Sequence, residues 1–182
     1  MKRLFLLTAI AGVLGLSSVN AQTKDVAMTG SKLGIGAEFA FPTGNSSDVY
    51  DFGYGGSLQF QTPIANKLNF TATAGYLNFQ GKDIVSSEVG SVKYRDYAAV
   101  PIKLGARYFL AENFYAGGEL GAAIGTKSGS KTSFVYTPQI GVEFPVADNG
   151  SIDLGARYEA WSDNDFAPSR FIGLRLAYNF GL

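Results

Sequence analysis

The chain has neither cysteine nor histidine among its 182 residues. The first absence excludes disulfides and a membrane anchor through a lipidated N-terminal cysteine. The second removes Ser-His and Cys-His nucleophilic pairs and the common histidine metal sites. Charged residues make up only 16% of the chain, few for a surface that must face water all round. Beyond the N-terminal segment no apolar run approaches the roughly 20 residues that a spanning helix needs. Acidic and basic residues balance at 15 each, and no basic stripe points to nucleic acid. Glycine, by contrast, is abundant at 23 residues.

The N-terminal segment has its own logic. Lys2 and Arg3 precede a mostly apolar stretch from Leu4 to Val19, and Val19-Asn20-Ala21 has small residues at the positions a signal peptidase reads. A cleaved secretory signal over residues 1–21 is expected, with a mature start at Gln22. Residues 22–30 would then form a short periplasmic tail and 31–182 a single domain. Removing residues 1–21 leaves 13 basic and 15 acidic side chains.

At the other end, Ile172, Leu174, Leu176, Tyr178, Phe180 and Leu182 alternate with Gly173, Arg175, Ala177, Asn179 and Gly181. A strand with one wholly apolar face and one small or polar face suits a wall between two media. The same period of two recurs in seven earlier segments, about 32–41, 52–61, 67–80, 97–109, 113–125, 133–144 and 151–161. Each is near the 9–11 residues (approximately) that cross a bilayer at a tilt. Pro101 and Pro138 fall inside two of them, and bulges or strand ends are expected there because proline cannot donate to the ladder. Short connections (62–66, 110–112, 145–150) alternate with longer, polar ones (42–51, 81–96, 126–132, 162–170), the pattern of a transmembrane barrel. With eight strands, both termini fall on the short-turn side.

Charged residues within the strands share the non-apolar phase: Lys32, Glu38, Lys103, Arg107, Glu119, Glu143, Asp153, Arg157, Glu159 and Arg175. Five are acids and five are bases. An eight-stranded barrel has an interior just wide enough for side chains, so ten inward charges would have to pair as a salt-bridged plug. Small residues on the same face would make room for the long Arg and Glu side chains. The pentapeptide Leu-Gly-Ala-Arg-Tyr occurs at 104–108 and again at 154–158, with Gly and Arg in the inward phase both times. Similar barrel positions selecting similar residues explain it; if the lumen binds or passes anything, Arg107, Arg157 and Arg175 are the candidates. Phe41, Tyr54, Phe134 and Trp161 toward the long loops, and Phe70, Tyr108, Phe114, Phe144, Tyr178 and Phe180 toward the short turns, are expected to form two outward aromatic girdles.

This pattern resembles the small outer-membrane barrel family related to the membrane domain of OmpA and to OmpX, the porin-family outer-membrane β-barrel domains. The resemblance covers residues 31–182. It implies an all-β, eight-stranded antiparallel up-and-down transmembrane β-barrel with short periplasmic turns and longer extracellular loops. It further implies a bacterial outer-membrane location, lipid and lipopolysaccharide as surroundings, and the barrel assembly machinery as a partner reading the C-terminal strand, Ile172 to Leu182. It carries no catalytic residue, cofactor or metal. The expected function is a structural or surface-interaction barrel, a monomer and not an enzyme. The alternatives are a narrow porin or small-solute transport barrel and, from another class, a soluble lipocalin-like binder with the apolar face inside. In the loops, Lys93, Arg95 and Asp96 could meet lipopolysaccharide phosphates, although an ordinary interfacial charge cluster accounts for them. Ser162-Asp163-Asn164-Asp165 lacks the glycine and distal glutamate of an EF-hand and reads as a solvated loop.

Overall fold

In the computed structural model, residues 30–86, 90–126, 131–163 and 166–182 are described. The expected signal over 1–21 and most of the tail lie outside them. Among the described residues ten strands form: β1 Lys32–Thr43, β2 Tyr50–Ala65, β3 Leu68–Gly81, β4 Asp83–Ser86, β5 Gly90–Lys93, β6 Tyr97–Phe109, β7 Phe114–Gly125, β8 Thr132–Ala147, β9 Gly150–Asp163 and β10 Phe166–Gly181. Eight of them close a barrel in the order β1-β10-β9-β8-β7-β6-β3-β2, and β4 pairs with β5 in a separate hairpin. Every barrel pairing is antiparallel.

Closure follows from the terminal strand. β10 pairs with β9 on one side and β1 on the other, where the register runs unbroken from Lys32↔Gly181 to Thr43↔Arg170. A closed sheet leaves no row of backbone groups unpaired, which lipid would not tolerate. Within the sheet the period of two sorts the faces. Leu33, Ile35, Phe39 and Phe41 of β1 are exposed, and Lys32, Gly34, Gly36, Glu38 and Ala40 between them are buried. The apolar face therefore points outward all round, as on Leu58, Leu104, Leu120, Ile140 and Leu176. A soluble lipocalin-like barrel would need the opposite arrangement.

The strands run longer than their alternation suggested. β2, β8 and β10 each have 16 residues, more than the roughly 9–11 that cross a bilayer, so they project beyond the apolar band. β10 begins at Phe166, well before Ile172, which shortens the expected 162–170 loop. The expected loop 81–96 contains the β4–β5 hairpin, with Asp83 opposite Lys93. The loop 42–51 contains one helical turn, Ser46–Val49. At the short end, Asp148 and Asn149 make a two-residue turn, and Lys67 takes a left-handed conformation, φ 61°, after Asn66.

The prolines behave differently from expectation. Neither Pro101 nor Pro138 causes a bulge or ends a strand. The β3–β6 register reaches Ala74↔Ile102 and resumes unshifted at Leu77↔Ala99. Beside Pro138 the β8–β9 register reaches Gln139↔Arg157 and resumes at Tyr136↔Ala160. The missing N–H weakens the ladder locally, but long ladders above and below hold the alignment. Register shifts occur instead near strand ends, between Tyr50 and Phe52, Pro63 and Ala65, Pro145 and Ala147, and Phe166 and Ser169.

Candidate functional site: a charged lumen under an aromatic cap

All ten inward charges are buried. They stack in levels along the barrel axis. Nearest the short turns, Lys32 Nζ donates to Glu143 Oε1 at 2.9 Å, and Ser151 Oγ donates to the same oxygen at 2.6 Å. One level up, Arg107 Nη1 donates to Asp153 Oδ2 and, at 3.3 Å, to Gln61 Oε1. The Arg107 guanidinium lies over the Tyr115 ring, 4.2 Å from its centroid, while the Tyr115 hydroxyl donates to Asp153 Oδ1 at 3.0 Å. Arg175 Nη1 stands 3.8 Å from Asp153 Oδ2.

Higher still, Glu119 Oε1 accepts from Thr73 at 2.7 Å, Thr71 at 3.0 Å and Gln59 at 3.1 Å. Glu38 accepts from Ser57 at 2.5 Å and from Arg157 Nη1, with Arg175 Nε 3.5 Å away. Glu159 ends the ladder. Its Oε2 accepts from Lys103 Nζ and Arg157 Nε, both at 2.8 Å, and its Oε1 accepts from the Trp161 indole N–H at 2.6 Å. Buried charges are tolerable only with such partners. Among Glu38, Lys103, Arg107, Glu119, Arg157 and Arg175 lies a cavity of about 10 Å³, room for about one water molecule.

Above Glu159 the lumen changes character. Ala40, Leu77, Phe79, Ala99, Ala123, Val135, Trp161 and Phe171 form a buried apolar cluster, with Tyr50 and Tyr97 packed against it. Phe79, Trp161 and Phe171 interlock edge to face, with centroids 5.2–5.7 Å apart. A smaller pair, Phe109 and Tyr115, sits at the turn end.

Residues 9–180 match the family model described as outer membrane protein beta-barrel domain. The chain belongs to that family. It is thus an outer-membrane β-barrel of the bacterial envelope, and its fold has solved relatives. Neisserial surface protein A is similar with a TM-score of 0.60 at 20% identity, over 85% of this chain and 98% of that one. Ail of Yersinia pestis, solved in complex with the heparin analogue sucrose octasulfate, gives 0.53 at 18% identity over 84% and 100%. OprG from Pseudomonas aeruginosa gives 0.51 at 12% identity over 84% and 96%. No curated protein sequence matches the chain.

The barrel's inner wall explains the small residues beside the long ones. Gly173 faces the lumen against Arg157: a β-carbon there would lie 2.8 Å from Arg157 Cζ and 2.9 Å from its Cγ. Gly36 stands likewise against Arg175 Nε, at 3.0 Å. Gly173→Val is expected to displace Arg157 from Glu38 and Glu159 and to cost about 1–3 kcal/mol, read as a lower urea midpoint of the refolded barrel.

Trp161 does not join the expected outward girdle; it is inside the barrel, 3% exposed, in the cap. Phe41, Tyr54 and Phe134 are exposed toward the loops, and Tyr108, Phe114, Tyr178 and Phe180 toward the turns; Phe70 and Phe144 are half-buried. The cap was legible as interruptions in the alternation. Tyr76-Leu77, Ala98-Ala99-Val100, Phe134-Val135-Tyr136, Ala160-Trp161 and Phe171-Ile172 put apolar residues on both faces. In the loops, Asp51 lies 3.7 Å from Lys82, both with exposed side chains, and Asp48 and Arg95 are exposed. Glu88, Asn164 and Asp165 lie outside the described residues, as do the side chains of Lys93 and Asp163. Among the described residues no cluster of carboxylates could hold a metal ion.

Proposed function

We propose that this protein is a closed, non-enzymatic barrel that acts as a structural or surface-interaction element of the outer membrane, presenting its long loops outside the cell. Support comes from the lumen: ten charges are buried there, and the cavity among those at its middle is only about 10 Å³. Both termini then lie in the periplasm, after removal of a signal over residues 1–21. The assembly machinery reads the outward row Ile172 to Leu182, lipopolysaccharide surrounds the loop end, and the barrel works as a monomer. At the loop end, exposed Arg95 and Arg170 of β10 suit phosphate or sulfate groups of surface glycans.

The refolded protein in a planar bilayer is expected to carry no steady ionic current. A stable, reproducible conductance would replace this reading with the narrow-pore one, for which Arg107, Arg157 and Arg175 would line the path.

A further inference from the structure

The two halves of the lumen differ in what they leave unsatisfied. Arg107 Nε and Nη2, Arg175 Nη1 and Nη2, Gln139 Nε2, Thr137 Oγ1 and Asn179 Nδ2 are buried with no hydrogen-bond partner in the protein. All belong to the charged part below the cap. Buried guanidinium donors without an acceptor are costly, and solvent is what normally satisfies them. The cap has no such atoms among the described residues. Its indole N–H points back down to Glu159, the other side chains of the buried cluster are hydrocarbon, and the rings of Tyr50 and Tyr97 pack against them.

A recess also reaches the polar part from one side. At the turn end a cavity of about 110 Å³ lies between the β8–β9 turn and the chain end. Lys32, Ser151 and Asn179 line it, and each of them is more than nine-tenths buried. Its floor is thus the first level of the ladder, where Lys32 and Ser151 meet Glu143.

We infer that the lumen is a one-sided vestibule: water and small hydrophilic solutes enter at the turn end as far as Lys32, Ser151 and Asn179, and the aromatic cap seals the loop end. A dry ring of apolar side chains excludes water by dewetting even where a few ångströms of space exist. The polar atoms of the ladder then draw their hydration from the turn side alone. This goes beyond a lumen that merely fails to conduct, because it assigns different surroundings to its two ends.

The absence of cysteine makes the test clean. Single variants Ser151→Cys in the recess and Ala99→Cys and Ala123→Cys in the cap are reconstituted into vesicles. Asn45→Cys and Asp148→Cys mark the loop and turn sides. A small, membrane-impermeant methanethiosulfonate is applied to one side at a time. Ser151→Cys should be modified from the side that modifies Asp148→Cys and not from the other. The two cap thiols should resist from both sides, and adding Phe79→Ala with Phe171→Ala should expose them to the loop side. Only variants that keep the heat-modifiable gel mobility of a folded barrel are scored. The unaltered protein supplies a second reading through its single tryptophan, Trp161, whose emission should resist acrylamide in the folded barrel. Modification of Ser151→Cys from the loop side, its inertness from both sides, or free quenching of Trp161 would each overturn the inference. A barrel silent in the bilayer whose Ala99→Cys reacts from the loop side would keep the closed-lumen reading and lose this one.

Discussion

Asp153→Ala is expected to destabilise the barrel by about 3–5 kcal/mol, the cost of removing one member of a buried ion pair. Asp153 is fully buried and accepts from Arg107 and from the Tyr115 hydroxyl, with Arg175 3.8 Å away. Its loss leaves Arg107, also fully buried, with Gln61 as its remaining acceptor. The double variant Arg107→Met with Asp153→Leu removes both charges together, so most of the penalty should return. A residue of about 1–3 kcal/mol should persist, because the Tyr115 hydroxyl loses its acceptor. Urea unfolding of the unaltered protein, Arg107→Met, Asp153→Leu and the double variant in lipid vesicles measures the coupling directly. If Asp153→Ala cost less than about 1 kcal/mol, the ladder would be solvated like a surface ion pair, and the filled-lumen account would be wrong.

The second large effect lies on the opposite face. Leu120 projects from the middle of β7, 58% exposed, beside Leu104 of β6 and Tyr136 of β8. In a bilayer this is near the midplane, and Leu120→Arg should cost about 2–4 kcal/mol. Ile64 is as exposed, at 59%, but lies at the turn end of β2. Ile64→Arg should cost about 0–1 kcal/mol, because the charge reaches the interface. The depth dependence is the informative quantity. Equal and small costs at both sites would mean that the exposed apolar face does not meet lipid.

Several elements were readable before any tertiary structure. The phase of Lys32, Glu38, Arg107, Glu119 and Arg175 against the apolar residues between them separates two faces, since side chains alternate across a strand. β6 runs over Tyr97–Phe109, the same bounds as the alternation at 97–109. Other ends moved: β8 reaches Ala147 rather than 144, and β10 starts at Phe166 rather than 172. Strands continue past the point where their faces stop differing, because the ladder needs only a backbone, whereas alternation is imposed by the two media on either side. The same reasoning explains the cap. Above the ladder both faces are apolar, so composition no longer separates them, and only the phase that Trp161 shares with Asp153, Arg157 and Glu159 places it inside.

Taken alone, then, the sequence determined the class of fold, the outward apolar band and the set of charges that must be buried together. These are consequences of period and composition, which are local. Tertiary structure alone decided the rest. Closure and stagger bring Lys32 to Glu143, 111 residues away, and Arg157 to Glu38, 119 residues away. Which acid meets which base depends on the register between strands around the whole barrel, and no local pattern encodes it. The register also gathers Phe79, Trp161 and Phe171 from three strands into one seal. Each is an ordinary aromatic in its own strand, and only closure gives the three a shared interior.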